Sequence, residues 1–264
     1  MDLSSVIGFL VGFGGLWLGM TIEGADLSMY LNPSAFCISV IGTIGVSIAS
    51  ANASTTKNIF RIIRVAFRRE DHKLLELIST MVSFTDKSRR EGLLALEQDI
   101  DQLDNAFLAK GLQLVVDGID PELVGSILQT EIDQMAERHK GGIDWFEAAG
   151  GYAPTLGICG TVLGMVEILG NLEHPEELGP MISVAFLATL YGISSANLLY
   201  FPLASKLRQK NREELIFHEV ILQGVLAIQA GDNPRVVEEK LKAYLDPESR
   251  KSSADQEGLA EEEV

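Results

Sequence analysis

Four apolar stretches, at about residues 3–22, 33–53, 148–169 and 180–204, constrain this chain more than any other feature. Each is about 20 residues long, the length at which a helix crosses the ~30 Å hydrocarbon core of a bilayer. They come two and two, with the polar block 54–147 between the pairs. None shows the polar face that a soluble helix of that length carries. The pattern predicts an all-α membrane protein: four transmembrane helices with a large helical cytoplasmic loop between spans two and three.

Composition supports this segregation. Mean hydropathy is +0.18, yet the net charge is -16. Both hold only because the stretches carry almost no charge while the middle block and the tail carry nearly all of it. The acidic balance argues against nucleic acid, whose phosphates need a surplus of Lys and Arg. The two cysteines, Cys37 and Cys159, both fall inside apolar stretches and are expected to pack, with no metal or disulfide role.

Flanking charges set the orientation. The connectors 23–32 and 170–179 hold Glu23, Asp26, Glu173, Glu176 and Glu177 and no Lys or Arg. Lys57, Arg61, Arg64, Arg68 and Arg69 follow span two, and Lys206, Arg208, Lys210 and Arg212 follow span four. The positive-inside rule places the loop, the tail and both termini in the cytoplasm. The expected layout is spans one and two in 1–53, a cytoplasmic helical domain in 54–147, and spans three and four in 148–204. Cytoplasmic helices follow in 205–246, then a disordered acidic tail in 247–264.

Apolar residues recur at helical spacing through the loop, predicting several amphipathic helices of about 10–20 residues and no strand. Ile59, Ile62, Ile63, Ala66 and Phe67 form one set, and Leu74, Leu75, Leu77, Ile78 and Met81 the next. Leu93, Leu94, Leu96, Ile100, Leu103 and Phe107 read as a third, and Leu123, Ile127, Leu128, Ile132 and Met135 as a fourth. Asp120-Pro121 reads as a helix start, with Asp as cap and Pro at the first position. His72, His139, His174 and His218 are scattered and read as surface residues. No nucleotide-binding loop or nucleophile constellation is present, so an enzyme is not expected.

Small residues crowd the spans: Gly8, Gly12, Gly14, Gly15 and Gly19 in the first, Ser39, Gly42, Gly45, Ser47 and Ala49 in the second, Gly157, Gly160 and Gly164 in the third. Helices in lipid associate by close approach at such residues, and their number points to a homo-oligomer. No span holds an ionisable residue at mid-depth; Glu167 lies within about a turn of the outer connector. Intramembrane ion transport normally uses such a residue, so a conducting function would need a partner to supply it. What the spans offer is hydroxyls. Thr161 lies about 20 Å, and Thr189 about 22 Å, from the inner ends of spans three and four. They sit at one level, although each hydroxyl is also read as bonding back to its own helix. Pro154 and Pro202, nearer the inner ends, each remove a helix hydrogen bond and favour a kink, either static or a hinge.

The motifs around these residues resemble the MotA/PomA flagellar stator subunits over nearly the whole chain. GYAPTLGICGTVLG is similar to that family's third span, and AFLATLYG followed by FPLASKLRQK to its fourth span and inner flank. The fourth-span pattern is met at Ala185, Phe186, Ala188, Thr189, Leu190, Gly192 and Pro202 and departs at Ser194, where an apolar residue is usual. The related ExbB and TolQ proteins have three spans in a different order. The resemblance implies an ion-conducting stator subunit, five copies ringing a pair of MotB/PomB-type single-span helices whose Asp binds the ion. It implies that Thr161 and Thr189 lie on the ion pathway and that Pro154 and Pro202 couple conformations. It implies further that Arg89, Arg90 and Glu97, in DKSRREGLLALEQDI, contact the rotor switch protein FliG; the charge run alone reads as a solvated helix face. Thr at position 161 is typical of sodium-driven members, where proton-driven ones often have Ala. Na+ is therefore the expected cargo, with H+ as the alternative, and no cofactor is expected. An ExbB/TolQ-like energy transducer and a passive scaffold are the competing readings.

Overall fold

The structure, a computed structural model, describes residues 3–22, 24, 27–68 and 73–247. Glu23, Asp26, Arg69, His72 and the acidic tail beyond 247 lie outside the described residues. Among those described, every regular element is helical. Helix α1 spans Leu3–Ile22 and α2 spans Pro33–Ser50. Short helices α3, Ala53–Lys57, and α4, Ile59–Phe67, follow. Next come α5, Leu74–Glu91, the single turn α6, Glu97–Ile100, and α7, Ala106–Val116. The chain ends in α8, Pro121–Gly170, α9, Pro175–Ala230, and α10, Pro234–Lys242. Three of these, α2, α8 and α9, contain windows long and apolar enough to cross a membrane, and Val6–Ile22 is a shorter apolar helix.

Local chemistry explains the starts and stops. The Asn32 side chain accepts from Ala35 N at 2.9 Å and caps α2 before Pro33. Asp120 accepts from Glu122 N at 2.9 Å, and α8 begins at Pro121 as its sequence indicates. Other boundaries depart from the sequence reading. Helix α2 ends at Ser50, because Ala51 turns to extended backbone before Asn52 opens α3. Helix α9 begins at Pro175, leaving Pro180 inside it. The loop's final helix and span three are one unbroken 50-residue helix, since the amphipathic pattern passes into an all-apolar one with no capping residue between them. The third apolar set is not one helix. Gly92, with φ +86°, ends α5 in a conformation that side chains rarely adopt, and Asn105 caps α7 anew through Leu108 N at 2.9 Å.

The chain divides into two compact units, residues 1–70 with 138–210, and 71–137 with 211–264. In the second unit, Met81, Leu96, Leu112, Val115, Leu128, Ile221, Val225 and Ile228 form a closed core against α10. Gly224 lets α5 lie close, because a Cβ there would sit 2.9 Å from the Met81 sulfur. His218 belongs to this core's edge and not to the surface: its ring is 4.7 Å from that of Phe107, edge to face. In the first unit, Trp145, Phe146, Ala149, Ala153, Tyr200 and Leu203 pack together, with Ile59, Ile62, Ile63 and Phe67 of α4 laid against them. Cys37 and Cys159 are both free and exposed on the single chain.

Candidate functional site

The site lies in the first unit, where α8 and α9 run against each other over bare backbone. A Cβ at Gly157 would lie 2.9 Å from the Ala188 carbonyl oxygen, and one at Gly160 would lie 2.5 Å from Ala188 Cβ. One at Gly164 would lie 2.7 Å from Ala185 Cβ, and one at Gly192 would lie 2.4 Å from the Ala153 carbonyl oxygen. Every one of these positions has to be glycine for the helices to approach this closely. The spacing 157, 160, 164 keeps the glycines on one face of α8.

This closeness brings Thr161 and Thr189 together. Thr161 Oγ1 touches Thr189 Oγ1 in a short hydrogen bond. It also donates to the Ala185 carbonyl at 2.9 Å and lies 3.3 Å from the Gly157 carbonyl. Thr189 Oγ1 reaches the same Gly157 carbonyl at 3.3 Å. Thr161 therefore bonds across the helix pair as well as along its own helix, whereas both contacts of the Thr189 hydroxyl cross to α8. Both are half-buried, and the four oxygens converge on one point at one level of the two helices. Such a cluster holds a hard cation only in part, because a dehydrated ion takes more oxygen ligands and a compensating charge. Among the described residues, no group of His, Cys, Asp or Glu is arranged to hold a metal ion.

Sequence reasoning missed the support behind this pair. Ser39, Thr43 and Ser47 of α2 are fully buried. Ser39 Oγ donates to the Ala188 carbonyl at 2.6 Å, one residue before Thr189. Thr43 donates to the Ser39 carbonyl, and Ser47 to that of Thr43 at 2.7 Å. The signal was the hydroxyl spacing of i, i+4, i+8 in CISVIGTIGVS. Tyr191 was also missed. Its hydroxyl donates to the Tyr30 carbonyl and accepts from Asn32 N at 3.1 Å, tying the start of α2 to α9. Ser39 sits within a π turn at Cys37–Ile41, and a second π turn at Ala196–Tyr200 leads into Pro202. Pro154 sits inside α8 without ending it, as the membrane helices' own packing partners permit.

The remaining sequence-predicted residues, Arg89, Arg90 and Glu97, belong to the second unit. Arg89 and Arg90 end α5, and Glu97 opens α6 beyond the Gly92 turn, so they do not share one helix face. All three are exposed. Arg90 pairs with Asp86 at 2.9 Å, and Lys87 joins Asp99 at 2.6 Å, fastening the two segments together. Leu94, 72 % exposed, stands between them.

Residues 99–220 match the MotA/TolQ/ExbB proton channel family. The chain is 40% identical to motility protein A of Borreliella burgdorferi, over 95% of this chain and 96% of that one. It is 35% identical to the chemotaxis protein PomA of Vibrio alginolyticus, over 97% and 100%. The chain belongs to the MotA family. A solved flagellar MotAB stator complex from Bacillus subtilis contains a chain 38% identical to it, with a TM-score of 0.89 over 96% of this chain and 100% of that one. The C. jejuni MotAB structure matches with a TM-score of 0.87 at 29% identity, over 94% and 97%. For a MotA-family chain, the hydroxyl pair is then the feature of the apolar helices with the most evident chemistry.

Proposed function

We infer that this chain is a stator subunit of the bacterial flagellar motor, an inner-membrane protein that works in an oligomer with a MotB-type partner. The observation that carries this is the full-length likeness to motility protein A, to PomA and to the MotAB stator complexes. That match favours a motor over an ExbB/TolQ-like transducer. The basic flanks support a four-span arrangement with both termini in the cytoplasm. The resemblance supports five copies around two single-span partner helices that supply the ion-binding Asp.

The coupling ion is Na+ in this reading. A sodium ion stripped of water needs several oxygens, and Thr161, Thr189 and the carbonyls of Gly157 and Ala185 offer them beside the partner's carboxylate. The hydroxyl protons rotate away from an arriving cation, which the polarisable hydroxyl oxygen then faces. A proton needs no such cage. Thr161→Ala removes one hydroxyl and leaves Thr189 its own contact with Gly157. Swimming speed should rise with external sodium in the wild type and lose that dependence in Thr161→Ala, while Thr161→Ser keeps it. Undiminished wild-type rotation in sodium-free buffer would overturn the sodium assignment and leave H+ as the cargo.

Ion passage changes the contacts around Thr189, and Pro202 with its π turn lies where such a change passes to the inner part of α9. Pro154 does the same for α8. Torque reaches FliG through Arg89, Arg90 and Glu97, exposed charges that steer and orient a partner of complementary charge. Charge reversal at Arg89 or Glu97 should cut soft-agar spreading severalfold with the protein still assembled in the membrane. Compensating reversals on FliG should restore part of it. Normal spreading by the double reversal would remove these residues from the rotor contact.

A further inference from the structure

The first unit contains a cavity of about 380 Å³ that the hydroxyl pair does not use. Its floor is Gly8, Phe9, Gly12 and Phe13 of α1, with Ala66 and Phe67 of α4 and Leu198 and Leu203 of α9 as walls. At one end the lining turns polar, with Ser205, Lys206 and Gln209. The volume falls in the range of small-molecule sites, about 300–1,000 Å³. Nothing lies within 4 Å of where a Gly8 side chain would begin, so the missing side chain leaves open space there.

We propose that this cavity holds one acyl chain of an anionic phospholipid, drawn from the leaflet on the basic side of the membrane, with its phosphate at Lys206. The apolar portion lies along α1 and the start of α9's basic flank marks the polar end, so the groove runs from headgroup level into the hydrocarbon. Charge selects the lipid. From residue 57 to 68 the chain carries Lys57, Arg61, Arg64 and Arg68 with no acid, and Lys206, Arg208, Lys210 and Arg212 follow on α9 before Glu213; of these eight basic groups Arg208 is paired with Glu147 of α8. Among the described residues, the cavity lining contains no acidic side chain. A zwitterionic headgroup would gain little from such a site, whereas an anionic one is attracted by each nearby basic group. The α4 helix fits the same role. Its apolar face is buried on α8, and Phe60, 83 % exposed, and the arginines stand outside, as in helices that lie at a membrane surface. A lipid here would brace α1, whose large side chains such as Leu10, Val11 and Trp17 are mostly exposed, against the part of α9 that follows the π turn. This goes beyond the motor function and does not depend on the coupling ion.

The experiment is native mass spectrometry of the full chain co-expressed with its partner subunit, stripped of lipid in mild detergent and offered phosphatidylglycerol and phosphatidylcholine at equal concentration. Phosphatidylglycerol should bind in preference, at one per chain. Lys206→Gln should lower that preference about fivefold and leave phosphatidylcholine unchanged. Gly8→Phe, which fills the cavity from a position with no neighbour to clash, should lower retention of both lipids, with the intact assembly mass serving as the folding control. Equal binding of the two lipids by the wild type, or unchanged retention in Gly8→Phe, would overturn the proposal. So would crosslinks from Gly8→Cys to another protein chain in place of lipid.

Discussion

Where α8 meets α9 in the first unit, the contact is made by side chains that are missing. Where α5 and α7 meet α9 in the second, it is made by side chains that are large. Gly157, Gly160 and Gly164 face Ala185, Ala188 and Gly192 with backbone close to backbone, and the hydrogen bonds across the contact join Thr161 to the Ala185 carbonyl and to Thr189, with Ser39 of α2 donating to the Ala188 carbonyl from behind. Met81, Leu96, Leu112, Leu128 and Ile221 meet as whole side chains, all under 2 % exposed. The difference follows from the surrounding solvent. In water, burying a Leu or Met removes apolar surface at roughly 25 cal/mol per Å², so a core is built from bulk. In lipid that gain is nearly absent, and attraction comes from close approach and from polar groups that have no water to turn to. The outer faces agree: Ile158, Val162, Leu163, Val166 and Phe186 are exposed on the first unit's helices, residues that a bilayer or a neighbouring subunit covers.

The comparison breaks most severely at Gly192. A side chain there would begin 2.4 Å from the Ala153 carbonyl oxygen and 3.1 Å from Gly157 Cα. Both are backbone, so no rotamer relieves the clash, and Gly192→Val should cost about 3 kcal/mol or more. The expected outcome is loss of the assembled complex from the membrane fraction and loss of swimming. Gly14→Ala and Gly15→Ala, where nothing lies within 4 Å, should assemble normally. If Gly192→Val assembled as well as these, close backbone approach would not be what holds the first unit.

A smaller effect is expected from the opposite kind of change. Leu112→Ala in the second unit removes a fully buried side chain and leaves a cavity, a loss of about 2–5 kcal/mol. Leu163→Ala, on an outward face of α8 at 59 % exposure, removes the same atoms where no core closes around them. Pulse proteolysis of the full chain in membranes should show faster cleavage within 74–137 for Leu112→Ala and little change for Leu163→Ala. Equal sensitivity in both would mean that the two units do not follow different packing rules.

Much of this was legible in the sequence, and the reasons it was not elsewhere are specific. The apolar stretches were legible because lipid tolerates so few polar side chains that their absence is a signal. The level of Thr161 with Thr189 was legible because helix rise is constant. Their mutual hydrogen bond was not, because it depends on how closely two helices approach, which Gly157 and Gly192 decide jointly from opposite helices. The end of the loop was placed at the loss of charge near Ala148, but helix α8 continues through it: polarity marks the membrane edge, not the helix end. The turn at Gly92 was hidden under apolar spacing that continued past it. The π turns at Cys37–Ile41 and Ala196–Tyr200 have no residue signature of their own.

The smallest effect concerns a hydroxyl. In the first unit, Ser39, Thr43 and Ser47 are buried and spent on backbone carbonyls, and they do not ionise in the accessible pH range. In the second unit, Tyr244 lies at the rim of the water-built core, and burial, then the Glu219 carboxylate, push its phenol above the usual 10.0. The folded form therefore favours the neutral phenol more than the unfolded chain does. This contribution is fully present below pH 10 and is lost as pH rises through the higher folded value. Because Tyr244 is only partly buried, the loss should be slight. Tyr244→Phe has no proton to lose, so the wild type should lose more stability than this variant between pH 9 and pH 11, as read from urea midpoints of the full complex. Glu219→Gln should shrink the difference by removing the nearby negative charge, leaving the larger effect of burial. Parallel pH profiles for wild type and Tyr244→Phe would place that phenol in water, outside the core, and would narrow the second unit's closed packing to the helices before α10.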